Sequence, residues 1–538
     1  MAWAWMPLAL AGGLLAARVV WLVWISNLTL SEDEAHYWEW SRRLDWSYYS
    51  KGPGVAWLIR ASTELFGISE WSVRLPAAVA GAVAMLGAAE TARWAMPAGA
   101  GVRGLPALAA LLTACVPAFA VASVLMTIDA PYLACWTWGG AFAALAILRR
   151  NPVGWLGLGM AVGVGFLFKY TIVLLPIGVA LAWLVTRCAD HTGGQAAAAD
   201  TPRRAPMRPV NRSVKRSLAW LAGGAACAVV GLLPVVLWNA SRGWPTVRHL
   251  LGHLGVAGGD VPQAAGGPSW SVGWTLGYVA MHLPVLGGVL ILAVLALLRS
   301  GRGTPAGRAV RALWCMAAPL LLFYLVVSFF AQTEGNWSIA GACTLAVPAA
   351  WSVLDAVRSR NTFIRQVWAV TLVIGLLMIL APAMLGFLST RRVFGDYIPI
   401  GRVTGMRQVA AEASQRLETL RTQTGHEPFV IASHYGRASL LAFYLPGRPT
   451  VWCASSELGG RRTQYDLWDE TDLNNAATVA SLAGRTALIF STPRKEWAEA
   501  FASVEDTGPL ASDPRPDRNT IYVGTGFVGW PAGSDDGQ

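Results

Sequence analysis

The apolar run from Trp5 to Leu30 stops at Ser31-Glu32-Asp33-Glu34-Ala35-His36-Tyr37-Trp38, so that three carboxylates stand in a row directly after it. A helix crossing a bilayer needs roughly 20 predominantly apolar residues, and this run is long enough. Further on comes Tyr48-Tyr49-Ser50-Lys51-Gly52-Pro53-Gly54. Acids at a membrane boundary, followed by a lysine among aromatics, point to chemistry at the lipid–water interface. A plain hydrophilic loop needs no such mixture.

Composition carries the membrane reading over the chain. Its 538 residues are 54% hydrophobic and only 14% charged, with a mean hydropathy of +0.45. About a quarter of residues are charged in ordinary soluble proteins. Apolar segments predict 11 spans: Trp5–Leu30, Leu75–Ala95, Leu105–Met126, Ala130–Leu148, Val153–Phe168, Thr171–Val185, Leu218–Trp238, Val272–Leu298, Leu313–Phe330, Ile339–Leu354 and Val367–Leu388. The fold class expected is a polytopic α-helical membrane protein.

Charge sets the orientation. Every second connection is basic: Arg93 and Arg103, Arg149 and Arg150, the Arg/Lys set between Arg203 and Arg216, Arg299 to Arg311, and Arg358 to Arg365. Under the positive-inside rule these connections are cytoplasmic. The acidic cluster, Thr127-Ile128-Asp129, the connection Asn239 to Ser271 and the segment Gln332 to Trp337 then face outward, as does everything after Leu388. The expected organisation is a membrane domain over 1–389, with a first outer loop over 31–74 and a flexible basic inner loop over 187–217. An outer α/β domain follows over 390–538. In it Phe429–Ala432, Thr450–Trp452 and Thr486–Phe490 read as buried strands, Met406–Leu420 as a helix, and the Gly/Asp-rich tip as disordered.

Several classes drop out. The net charge of +11 comes from arginines scattered over inner loops, with no basic domain interleaved with aromatics, so nucleic acid is not a partner. The 7 cysteines form neither a disulfide framework nor a zinc spacing. The N-terminus lacks a basic leader region and a small-residue cleavage site, so its apolar run is expected to stay as a helix. Gly157-Leu158-Gly159 and Gly163-Val164-Gly165 lie inside an apolar span, where small residues serve close helix packing and not a dinucleotide.

Within the outer loop, Trp38, Trp40, Trp46 and Trp57 fit an interfacial helix at the headgroup level. Adjacent acids repel and resist ionisation, which marks Asp33 and Glu34 as functional and leaves Glu32 as a solvated neighbour. Asp129 shares their face, although an N-cap explains it equally well. Lys169, between two apolar runs, is either a site cation or a snorkelling side chain. Lys51 is the better candidate, since Gly-Pro fixes the turn beside it.

These residues resemble bacterial glycosyltransferase family 39. The similarity rests on Asp33-Glu34-Ala35-His36-Tyr37-Trp38, Leu44-Asp45-Trp46-Ser47-Tyr48-Tyr49, Lys51-Gly52-Pro53, Phe66-Gly67 and Val73-Arg74-Leu75-Pro76. Thr127-Ile128-Asp129-Ala130-Pro131, Asn336-Trp337 and Phe443-Tyr444-Leu445-Pro446-Gly447 fit it too. The resemblance implies a GT-C fold and a sugar donor on polyprenyl phosphate. It implies a glycolipid (lipid A among them), polysaccharide or protein acceptor on the periplasmic face of the bacterial inner membrane, and inversion at the anomeric carbon. Asp33 would act as base for an acceptor hydroxyl or orient the acceptor, assisted by Glu34 and Asp129. Lys51, His36 and Lys169 would bind the donor phosphate, and Tyr37, Tyr49, Asn336 and Trp337 the substrates. A divalent ion, Mg²⁺ or Mn²⁺, on Asp33, Glu34 and Asp129 is a possible cofactor. Ser50 stands where some relatives carry a carboxylate, which removes one hard ligand. A lipid or sugar transporter or flippase also explains charges at membrane edges. The one-sided clustering of charges and the lack of internal symmetry favour the enzyme.

Overall fold

The computed structural model describes residues 2–97, 103–198, 210–253, 258–260, 271–301, 303–391, 400–492, 495–513 and 520–531. The helices are α1 (Ala2–Val20), α2 (Glu32–Arg42), α3 (Gly54–Phe66), α4 (Glu70–Ala95), α5 (Leu105–Ala114), α6 (Pro117–Ala122), α7 (Asp129–Ile147), α8 (Val153–Phe166) and α9 (Leu174–Ala198). There follow α10 (Val210–Ser241), α11 (Pro245–His253), α12 (Val272–Leu286), α13 (Gly288–Arg299), α14 (Pro305–Val327), α15 (Ile339–Arg358), α16 (Thr362–Arg391), α17 (Met406–Thr424) and α18 (Tyr435–Tyr444).

Each predicted span has helix under it, but not each is one straight crossing. Among the described residues, eight helices are long and apolar enough to span a membrane, and a ninth candidate is the pair α12–α13. That pair bends by 97°, so Val272–Leu298 is not one straight crossing. The break falls at Gly287, whose φ of +62° suits glycine. The spans at Leu105 and Val153 are short: Leu105–Met126 divides into α5 and α6, and α8 has 14 residues. The protein is a multi-span membrane protein. Helices also run into both ends of the basic inner loop, since α9 continues to Ala198 and α10 starts at Val210. The middle of that loop, 199–209, and the C-terminal tip, 532–538, lie outside the described residues.

The glycines expected to pack helices do so. A Cβ at Gly159 would overlap the carbonyl of Gly224, and one at Gly163 would sit 2.7 Å from the Cys227 oxygen. Backbone contact between α8 and α10 is possible only because both lack side chains there.

After α17 the chain forms a five-stranded sheet in the order β2-β1-β3-β5-β4. Its strands are β1 (Phe429–Ala432), β2 (Val451–Cys453), β3 (Ala487–Ser491), β4 (Phe501–Asp506) and β5 (Thr520–Phe527). β1 runs parallel to β2 and β3, while β5 is antiparallel to β3 and β4. The three strands read from sequence match to within a residue because they are fully or nearly buried apolar runs. β4 and β5 carry Gly and polar residues and show no such run.

The first loop is not an interfacial appendage. Ser31 and Glu34 form a capping box at the start of α2, whose first turn holds Glu32, Asp33 and Glu34. Carboxylates there oppose the positive end of the helix dipole. Trp38 and Trp40 are buried in the core, whereas Trp57 is half-buried and Trp46 is exposed, so the headgroup-level reading fails for the first two. α2 packs against α18, with the Trp38 and Phe443 rings edge to face at 4.9 Å.

The anchor beneath α2 is an ion pair. Arg74 on α4 donates from Nε to Glu34 Oε1 and from Nη2 to Oε2, both at 2.8 Å. It also donates to the Leu28 and Thr29 carbonyls at 3.1 and 2.7 Å. Glu34 further accepts the Met126 amide at 2.9 Å and the Ser31 amide at 2.9 Å. Both side chains are at most 1% exposed. Removing one partner of such a pair leaves a buried charge and costs about 3–5 kcal/mol. Arg74→Ala should therefore lower unfolding stability in micelles by that amount. Glu64→Ala, which breaks the exposed Arg60–Glu64 pair, should cost under about 1 kcal/mol. Equal losses would sink the assignment of Arg74 as the anchor.

Candidate active site

The turn that carries Lys51 is shaped by what it touches. Tyr48 N donates to Lys51 O at 3.1 Å, and Gly54 N donates to Leu167 O at 2.9 Å. A Cβ at Gly52 would overlap the Leu167 carbonyl, and one at Gly54 would meet the Phe168 ring at 2.6 Å. The Lys-Gly-Pro-Gly stretch thus lies flat on Leu167-Phe168-Lys169, and two lysines far apart in sequence enter one cavity.

That cavity has a volume of about 460 Å³, within the usual size of a ligand site. Nine of the ten expected residues line it: Asp33, His36, Tyr37, Tyr49, Lys51, Asp129, Lys169, Asn336 and Trp337. Glu34 does not, because Arg74 holds it in the interior; its expected assisting role is corrected to a structural one.

Asp129 and Lys169 form the centre of one wall. Lys169 Nζ donates to Asp129 Oδ1 at 2.9 Å, and Asn336 Nδ2 donates to Oδ2 at 2.9 Å. The ammonium also stands 5.5 Å from the centre of the Tyr132 ring. Trp337 packs against Tyr324 at 5.1 Å. Lys169 is therefore neither snorkelling nor unpaired.

Lys51 differs. Among the described residues no hydrogen bond or ion pair holds its ammonium. Burial pushes its pKa down, and the nearby Lys169 charge adds to this, while Asp33 and Asp129 oppose it. Asp33 faces the cavity's solvent but has protein packed around it. Desolvation raises its pKa; Lys51 pulls it back, Glu32 and Glu334 push it up, and Arg461 lowers it. An acid raised by burial and a base lowered by burial, in one cleft, form a pairing typical of functional sites.

His36 is corrected as a phosphate cation. Its Nε2 accepts from Trp40 Nε1–H at 3.1 Å, because an indole only donates. Nδ1 therefore carries the proton and donates to Ser439 Oγ at 3.1 Å. Ser439 in turn donates to the Tyr435 carbonyl at 2.8 Å. Burial, with the Arg461 and His434 charges behind it, pushes the imidazole pKa well down. His36 is a neutral strut between α2 and α18.

Sequence reasoning missed the contribution of the C-terminal part. Tyr435, Arg461, Arg462 and Thr463 line the cavity, and Tyr435 Oη lies 3.5 Å from Asp33 Oδ1. Gln464 Oε1 accepts the Tyr49 amide at 2.7 Å. The connection after α10 adds Asp260, which accepts from the Tyr49 hydroxyl, and His249, 5.0 Å from the Tyr49 ring. No sequence pattern marked these.

The carboxylates assigned to a divalent ion do not converge. Glu34 is taken by Arg74 and Asp129 by Lys169 and Asn336. Among the described residues no group of three His, Cys, Asp or Glu side chains is placed to hold a metal.

Residues 50–193 match the family model described as dolichyl-phosphate-mannose-protein mannosyltransferase. The lipid A galacturonosyltransferase RgtD of Rhizobium johnstonii is 29% identical over 347 residues, 62% of this chain. The match spans 63% of that relative's length. ArnT from Cupriavidus metallidurans bound to undecaprenyl phosphate superposes with a TM-score of 0.61 at 16% identity, over 99% of each chain. Its apo form gives 0.59 at 16% identity, over 98% of this chain and 99% of that one. This chain has the GT-C fold of ArnT. The resemblance to polyprenyl-phosphate-dependent glycosyltransferases, read first from the outer loop, is borne out.

The Asp129–Lys169 pair is open to a direct check, because contacting residues are non-additive. Asp129→Asn and Lys169→Met should each destabilise the protein. The double variant should lose less than their sum, by about 0.5–3 kcal/mol, in unfolding midpoints measured in micelles. Additive losses would remove the pair from the account.

Proposed function

We propose that this GT-C protein is a glycosyltransferase that moves a sugar from a polyprenyl-phosphate donor to a hydroxyl of a membrane glycolipid, of the lipid A class. The name of the Rhizobium relative favours that acceptor. By the charge pattern of its connections, the reaction takes place at the periplasmic face of the bacterial inner membrane.

One observation carries the reading: Asp33 and Lys51, whose ammonium has no hydrogen bond or ion pair among the described residues, face a common cavity, and each carries a pKa displaced toward the other's range. The donor phosphate binds at Lys51, with Lys169 adding positive potential behind it. The acceptor hydroxyl oxygen attacks the anomeric carbon while Asp33 takes its proton. The bond from that carbon to the phosphate oxygen breaks, the configuration inverts, and polyprenyl phosphate leaves with the electron pair. The departing anion needs a cation rather than an acid. A unit charge pair at 4 Å is worth about 4 kcal/mol at an effective dielectric near 20, before desolvation. Asp129 and Asn336 hold Lys169 in place. Arg461 and Arg462, from the C-terminal part, line the mouth and suit an anionic acceptor.

Membranes supplied with labelled polyprenyl-phosphate sugar and acceptor lipid test this. Asp33→Asn should cut transfer by about 10²–10⁴, the usual worth of a general base, with insertion intact. Wild-type transfer by that variant would end the role of Asp33.

The pH profile gives a second check. The working form has Asp33 ionised, so activity falls as pH drops through its raised pKa. It falls again at high pH as Lys51 loses its proton below its ordinary value, giving a bell. Lys51→Met removes the cation that favours the carboxylate. The acid limb should then move to higher pH, on top of a lower maximal rate. An unmoved limb would separate the two residues.

A further inference from the structure

One acid in the cleft takes no part in the transfer step. Glu334 lines the cavity and is exposed to its solvent. Among the described residues no hydrogen bond or ion pair takes up its carboxylate. Its neighbours in sequence hold it in place. Thr333 before it is buried, and Gly335–Ser338 form a 3₁₀ turn after it. A Cβ at Gly335 would meet the Val285 side chain at 2.9 Å and Met281 Sδ at 3.0 Å, so the glycine lets this turn sit directly on α12. Trp337 N donates to Glu334 O at 3.2 Å, and the Trp337 ring rests on Tyr324 at 5.1 Å.

Asn336 ties the same turn to the lysine wall, because its Nδ2 donates to Asp129 Oδ2 and Asp129 holds Lys169. Asn336 Oδ1 remains as an acceptor and the Trp337 indole N–H as a donor, neither with a partner among the described residues. The Glu334 charge bears on both Asp33 and Lys169, so its carboxylate belongs to the stretch of cleft that they flank. An ionised carboxylate only accepts hydrogen bonds. Whatever displaces the water around it must bring donors, or the lost solvation goes uncompensated. A polyprenyl chain has no donors, and a phosphate diester offers only acceptors of the same charge. Of the three parts of the donor, the sugar alone carries hydroxyl groups. An acceptor glycolipid carries them too, but it must approach Asp33, whereas the Glu334 turn is joined to the lysine that backs the donor phosphate.

We propose that Glu334 binds hydroxyl groups of the transferred sugar, with Asn336 Oδ1 and the Trp337 N–H beside it, and is thereby a specificity-determining residue for the donor. The proposal rests on the transfer reaction above. It assigns the carboxylate to recognition of the sugar, not to proton transfer and not to the lipid phosphate.

Native mass spectrometry of the full chain in micelles, with no acceptor present, tests it. Undecaprenyl phosphate is offered bare and carrying galactose, glucose, mannose or galacturonic acid. The readout is the retention of each sugar-bearing lipid relative to the bare one. The wild type should retain at least one of the four in preference to the bare lipid. Glu334→Gln keeps the shape of an exposed side chain. It should reduce that ratio about tenfold, the worth of a hydrogen bond to a charged group, and leave the bare lipid held as before. A ratio unchanged in Glu334→Gln overturns this proposal alone. Equal loss of the bare lipid overturns it in favour of a structural or phosphate-directed role. A wild type that holds none of the four above the bare lipid overturns the transfer reading together with it.

Discussion

The pairing of Glu34 with Arg74 is the constraint from which the outer half of the molecule takes its shape. Two charges that are nearly free of solvent must satisfy each other, and their remaining hydrogen-bonding capacity must be met as well. Arg74 does so with two carbonyls at the end of the first span. Glu34 does so with the amides of Met126 and Ser31. A single node therefore sets the first span, α2, α4 and the segment leading into α7 against one another. Asp33 is next to Glu34 on α2, and Asp129, the first residue of α7, follows Met126 by three positions. Their approach to a shared cavity is a consequence of that node.

A second constraint is steric. Glycines at 52 and 54 let the backbone of the Lys51 turn lie against Leu167 and Phe168, where any side chain would collide. The approach places two lysines in one cleft, and their mutual repulsion is relieved unequally. Lys169 has Asp129 at 2.9 Å; among the described residues Lys51 has no such partner, and Asp33 and Asp129 act on it from farther away. The asymmetry makes Lys169 a fixed part of the wall, while the Lys51 ammonium faces the cavity.

The C-terminal sheet belongs to the same unit of packing as the membrane helices. Tyr444 accepts from the Leu30 amide at 2.7 Å and donates to Glu70 at 3.1 Å. Arg407 pairs with Glu70 at 2.6 Å. With His36 braced on Ser439, these contacts put Tyr435 beside Asp33 and close the cavity with Arg461. One wall of the cleft is thus built from residues some 400 positions away in the chain from Asp33.

Hydropathy alone determined that the chain crosses a membrane several times, because bilayer thickness demands long apolar runs whatever their contacts. It also determined the strands of the sheet interior, where apolar runs are continuous, and it marked Asp33, Lys51, Asp129 and Lys169, whose charge is costly beside lipid; His36, Tyr37, Tyr49, Asn336 and Trp337 came from the family resemblance alone. It did not separate Glu34 from Asp33. Neighbours on one helix turn differ in direction by about 100°, and only the position of Arg74 on α4 decides which one faces the interior. The bend at Gly287, the neutral state of His36, and the entry of Tyr435 and Arg461 into the cleft depend likewise on contacts between distant segments. Those contacts are properties of the packed chain, and no local pattern of residues encodes them.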